Sequence, residues 1–118
     1  MSIAVNSVDH STPSISYTAV VTEPTTNDDG SLLTDLASID LKVYIGGTLV
    51  RTTNQPATSL TGGGIITLND SMGVSPSDTL IELGAVAIDV NGRKSLESSP
   101  LASDTFVIDT TAPSAPTV

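Results

Sequence analysis

A single histidine, His10, sits in Val8-Asp9-His10-Ser11. Its imidazole would change charge near neutral pH, which suits acid–base work. With Asp9 beside it and many serines elsewhere, the parts of a Ser-His-Asp triad are present. In such a triad the carboxylate orients the imidazole, which takes the serine proton. No Gly-x-Ser-x-Gly elbow accompanies them, and adjacency in sequence is not geometry. His10 therefore reads as a surface or assembly-contact residue, neither base nor ligand.

Asn27-Asp28-Asp29-Gly30 offers oxygen donors of the kind hard cations take. The twelve-residue spacing of an EF-hand is absent. Asn27, Asp28, Asp29 and Asp35 could make a weak calcium loop, but the composition is that of a turn. Gly62-Gly63-Gly64 resembles the start of a phosphate cradle, yet no Lys-Ser/Thr follows and no helix is expected after it. It reads as a plain flexible turn. A glycosidase would need two carboxylates facing across a cleft, and nothing in the pattern builds one. A glycan platform would need exposed aromatics. Tyr17, Tyr44 and Phe106 are the only ones, and Tyr44 is the best placed. No catalytic, cofactor-binding or metal-ligating residue is assigned.

The elements that would have to position any site are short strands. The chain has 118 residues, enough for one modest core. Val, Ile, Leu and Ala must fill it, because there is no Trp and only one Phe. Abundant Thr and Val favour strands, while Gly and Pro favour turns. Four basic residues oppose thirteen acidic ones, for a net charge of -9. Lys42, Arg51, Arg93 and Lys94 form no patch, so nucleic-acid binding is disfavoured. The acidity fits a solvated surface, and adaptation to salt or to a basic partner are the alternatives. There is no cysteine, hence no disulfide or thiolate chemistry. No run approaches the roughly 20 apolar residues of a membrane span, so no membrane partner is expected. Met1 to Asn6 lacks the basic and apolar regions of a signal peptide.

Ser14 to Val21 is the first firm strand candidate, preceded over residues 1–12 by an edge strand or an arm. Ile39, Leu41, Val43 and Ile45 alternate with Asp40, Lys42 and Tyr44, the pattern of a half-buried strand. Gly46-Gly47 turns it into a hairpin partner from Thr48 to Thr53. Ile65 to Leu68 is a short strand. Leu80 to Val90 is apolar on both phases, which predicts a central strand covered for most of its length. Asn91-Gly92 is a tight turn, and Ser103 to Asp109 is the last strand. Leu41, Val43, Leu83 or its neighbour Val86, Ile88 and Val107 are expected in the core. Thr110 to Pro116, with Pro113 and Pro116, reads as a hinge or tail over residues 112–118.

These segments together resemble a fibronectin type III module of the bacterial and phage kind. Pro24-Thr25-Thr26-Asn27-Asp28-Asp29-Gly30-Ser31-Leu32-Leu33-Thr34-Asp35-Leu36, then Lys42-Val43-Tyr44, is similar to a stretch that family carries. So is Ala85-Val86-Ala87-Ile88-Asp89-Val90-Asn91-Gly92-Arg93-Lys94-Ser95, and so is the terminal Thr110 to Pro116. The core Trp of the second strand is missing, with Tyr17 or Ala19 near its place. The Tyr that opens the sixth strand is replaced by Leu80 or Ile81. The resemblance implies an all-β immunoglobulin-like sandwich of about seven antiparallel strands over residues 13–111. It also implies a structural role, since such modules ornament phage heads and tails.

The expectation is a non-catalytic virion protein decorating the outer surface of a capsid or tail in many symmetric copies. A lone module with its own Met1 suits a part of a larger assembly, with residues 1–13 or 112–118 lying against another chain. The alternative is a secreted or cell-surface adhesin or carbohydrate-binding module that meets host-surface glycans.

Overall fold

The computed structural model describes residues 1–9, 14–73, 79–98, 101–106 and 114–117, with side chains described from residue 16 onward, at Met1, and not at 79, 105 or 106. Seven strands follow one another: β1 (Ser2–Asp9), β2 (Ser14–Thr22), β3 (Leu36–Ile45), β4 (Thr48–Pro56), β5 (Ile65–Gly73), β6 (Thr79–Asp89) and β7 (Ala102–Phe106). No helix occurs among the described residues. All pairing is antiparallel. One sheet has the order β1-β2-β5 and the other β4-β3-β6-β7.

Alternation along the strands builds the core. In β3 the positions Ile39, Leu41 and Val43 are buried while Asp40, Lys42 and Tyr44 are half-buried on the other face. From the opposite sheet come Tyr17, Ala19, Val21 and Ile66; from the same sheet, Leu36, Ile81 and Leu83. The two sheets therefore share one apolar core in a sandwich-like arrangement. Tyr17 is fully buried and is the largest side chain sealed in the core among the described residues. Gly46 and Gly47, at φ 58° and 84°, supply the left-handed backbone of the β3–β4 turn.

Several expectations change. Ser2–Asp9 does not leave the sandwich for another chain; it pairs with β2 from Ser2–Val20 to Asp9–Ser14 as an edge strand. β3 begins at Leu36, three residues before the first residue assigned to it from sequence. Ile88 is half-buried and lies on the opposite phase of β6 from Ile81 and Leu83, so it is not a core residue. Leu83 and Val86 are both buried, but only Leu83 belongs to the shared core. β6 is covered over residues 81–89, with Leu80 before them and Val90 after them exposed, in keeping with a central strand covered for most of its length. Val107, His10 and residues 110–113 lie outside the described residues.

Candidate functional site

Strand pairing brings the connections 23–35, 57–64 and 90–98 to one end of the molecule. Thr22 pairs with Ile65, Ser38 with Pro56 and Leu36 with Asp89, so the loops that follow or precede them start side by side. Backbone bonds then join loop to loop. Leu36 N–H donates to the Leu60 carbonyl at 3.0 Å, and Val90 N–H to the Asp35 carbonyl at 2.9 Å.

Glu23 is the keystone of this end and was invisible to sequence reasoning. It is 3% exposed, yet carries a carboxylate. Thr58 N–H donates to it at 2.8 Å, Gly64 N–H at 3.0 Å, and the Thr58 hydroxyl also donates. Its own N–H donates to the Gly64 carbonyl at 2.9 Å. Burial works against the charge, but the three donors outweigh it and hold the carboxyl below its ordinary range. The only sequence signal was a Glu before Pro24 at a strand end, which has no distinctive spacing.

The glycine run is not a loose turn. A Cβ at Gly62 would overlap the Pro24 carbonyl, and one at Gly64 would overlap the Thr58 hydroxyl and stand 2.9 Å from the Glu23 carboxylate. Gly62 and Gly63 also have φ of 68° and 84°. These glycines let residues 62–64 press against residues 23–25.

Between the loops the sandwich opens into a cavity of about 680 Å³. Its floor includes Val21, Leu36, Ile39 and Ala87, and its rim includes Asp28 and Arg93. That volume lies in the range of small-ligand pockets, roughly 300–1,000 Å³. In the turn beside it, Asp29 accepts from Ser31 N–H at 2.9 Å and from the Ser31 hydroxyl at 2.5 Å, which holds its carboxyl below the ordinary range. Asn27 donates to the Ser31 hydroxyl at 3.1 Å and the Leu32 carbonyl at 3.3 Å. Asn27 and Asp29 thus build the turn itself. Among the described residues no three His, Cys, Asp or Glu side chains converge as a metal set. Across the rim, Arg93 Nε stands 3.9 Å from Asp89, an exposed pair of small energetic weight.

Large apolar side chains are exposed at this same end: Leu32, Leu60, Ile65, Val90 and Leu96, the last at 90%. Only Leu49, Val50 and Leu80 are comparably exposed away from it among the described residues.

Tyr44 lies elsewhere, on the outer face of the four-stranded sheet. Its hydroxyl donates to Glu97 at 2.6 Å, which together with partial desolvation raises its pKa. Gly84 makes this contact possible, because a Cβ there would stand 2.5 Å from the Glu97 carboxylate. Tyr44 is a fastening for the 90–98 connection as well as a surface ring. Tyr17 is sealed in the core and unavailable to a ligand, and the Phe106 side chain lies outside the described residues.

No family model, no curated protein and no solved structure matches the chain.

Proposed function

We propose that this chain is a non-catalytic structural module of a phage virion, a capsid decoration protein that seats its loop end on a neighbouring virion protein. The observation that carries the reading is the gathering of Leu32, Leu60, Val90 and Leu96 in exposed positions around connections braced by buried bonds. Rigid support beneath exposed apolar side chains is what a contact surface needs. The net charge of -9 keeps such a surface soluble before it is covered.

The fold reading within this proposal is a fibronectin type III-like member of the immunoglobulin-like sandwiches. Constant-type immunoglobulin domains place four strands with the first and three with the third. Here the fourth strand pairs with the third instead, leaving β1-β2-β5 opposite β4-β3-β6-β7. That division supports the fibronectin type III branch, as do the sequence stretches at Pro24–Leu36 and Ala85–Ser95.

A second reading, a surface adhesin or carbohydrate-binding module, draws support from the cavity with its apolar floor and polar rim. One experiment separates them. Purified protein is mixed with assembled phage shells and, in parallel, applied to a glycan array. The decoration reading expects saturable binding to shells that Leu96→Asp weakens at least tenfold. Glycan retention without shell binding would replace it with the adhesin reading.

A further inference from the structure

Four strand edges bound the two sheets: β1 and β5 in one, β4 and β7 in the other. Free edges expose unpaired N–H and C=O groups, and proteins normally guard them. β1 and β7 lie against each other across the two sheets. β5 is guarded by Arg51, whose Nη1 donates to the Ser71 carbonyl at 3.0 Å and pairs with Asp70 at 2.5 Å. β4 pairs with β3 on one side and with no described strand on the other; its register shifts at Val50 and it ends on Pro56, which leaves Arg51 to Gln55 as the continuous open stretch.

Charge singles out the same edge. β1 carries Asp9, β5 Asp70 and β7 Asp104, whereas β4, Thr-Leu-Val-Arg-Thr-Thr-Asn-Gln-Pro, holds no carboxylate. Its one charge, Arg51, is turned inward to Asp70. In a chain of net charge -9 this is the edge strand on which two identical copies would meet with no carboxylate of its own. Thr48, Leu49, Val50, Thr52 and Asn54 are exposed along it, and Thr, Val and Leu are good cross-strand partners. The Asn54 amide is held on the outer face by Ser38 at 3.0 Å and Asp40 at 2.9 Å, so it does not block the edge.

We propose that β4 is a self-association edge, pairing antiparallel with β4 of a second copy about a two-fold axis to join two four-stranded sheets into one. The two-fold arrangement is self-complementary and closes at the dimer. With the axis near Thr52, Arg51 lies directly across from Thr53 of the second copy and is diagonal to its own symmetry mate. The proposal is independent of the loop-end reading, because β4 faces the flank of the sandwich and not that end.

Sedimentation equilibrium of the full chain over a wide concentration range tests it. The wild type is expected to move from 12.0 kDa toward twice that mass, more readily at high salt, where repulsion between the acidic copies is screened. Thr52→Asp and Val50→Asp each give β4 the carboxylate its sister edges have. Each should weaken dimerisation at least tenfold, with unchanged circular dichroism and melting, since both positions are exposed. Leu96→Asp at the loop end should leave the dimer unchanged. A chain that stays at the monomer mass at high concentration and salt overturns the proposal. So does a dimer that Thr52→Asp and Val50→Asp both leave intact, or one that Leu96→Asp dissolves, which would move the interface to the loops.

Discussion

The Glu23 carboxylate and the Gly64 N–H meet at 3.0 Å, and they can do so only because residue 64 has no Cβ. A buried anion is held by neutral donors from the two ends of one other connection. One glycine decides whether those donors arrive. Thr58 and Gly64 flank the 57–64 connection, so the carboxylate closes that loop onto the end of β2.

Glu23→Gln should therefore destabilise the fold by about 1–3 kcal/mol, the scale for disrupting buried hydrogen bonds. The pH dependence gives a sharper test. The folded carboxyl titrates below its ordinary value of 4.5. Its contribution is thus complete above 4.5 and is lost as pH falls through the folded value. Urea unfolding of wild type and Glu23→Gln between pH 7 and pH 3 should show the gap between them closing in acid. A gap that is constant with pH would refute the charged, hydrogen-bonded carboxylate.

The glycines separate crowding from backbone conformation. At Gly92 nothing lies within 4 Å of an added Cβ, but φ is 83°. Gly92→Ala should cost about 1–2 kcal/mol, the left-handed penalty alone. Gly64→Ala is a pure clash, expected at about 1–3 kcal/mol. Gly62→Ala combines both and should exceed either in chemical denaturation. Equal losses at all three positions would show that the 62–64 segment is not packed as described.

Position in the core predicts a difference between two neighbouring strands. Val43 is 1% exposed, so Val43→Asp buries an unpaired carboxylate and should abolish cooperative unfolding. Ile88 is half-buried on the outer phase, and Ile88→Asp should leave a folded protein with a lowered melting temperature. Thermal scans that rank the two in the reverse order would invert the assignment of faces.

Tyr17 donates to Asp70 at 3.1 Å, and Arg51 joins the same carboxylate from the other sheet. Burial, reinforced by the charge and hydrogen bond of Asp70, pushes the phenol up to about 12. Burial also works against the Asp70 charge, but Arg51, Ser71 N–H and Tyr17 together hold its carboxyl below the ordinary range. Spectrophotometric titration of the folded protein should show no tyrosine ionising at 10. Tyr17→Phe should remove the later of the two steps, whereas loss of the earlier step would assign the shift to Tyr44.

Much of the architecture was legible because alternation is a local signal. Ile39 to Ile45 and the Gly46-Gly47 hairpin read correctly from residue type alone. β1 was left between strand and arm because its apolar residues gain meaning only beside β2. β6 was ambiguous because both of its phases are apolar, and Ile88 was assigned to the wrong face for that reason. The candidate site was barely legible. Glu23 is far in sequence from Thr58 and Gly64, all three are ordinary in type, and only the meeting of two connections gives them a shared role. The glycine run was seen but misread, since crowding by a distant carbonyl leaves no trace in the local pattern.

The division of strands between the sheets also sets an order of events in time. β3 and β4 are joined by a two-residue turn and can pair as soon as both exist. β2 can pair with β1 across a short connection, but its other neighbour, β5, comes nearly fifty residues later, with Val20 facing Thr67. Closing so long a segment delays the contact before any pairing rewards it. The β1–β2 and β3–β4 hairpins are thus the local pairings, and β2–β5 and β3–β6 the distant ones. Until β5 arrives, Tyr17 has no Asp70 to bond and the apolar face of β2 stands open, an interval in which aggregation competes with folding.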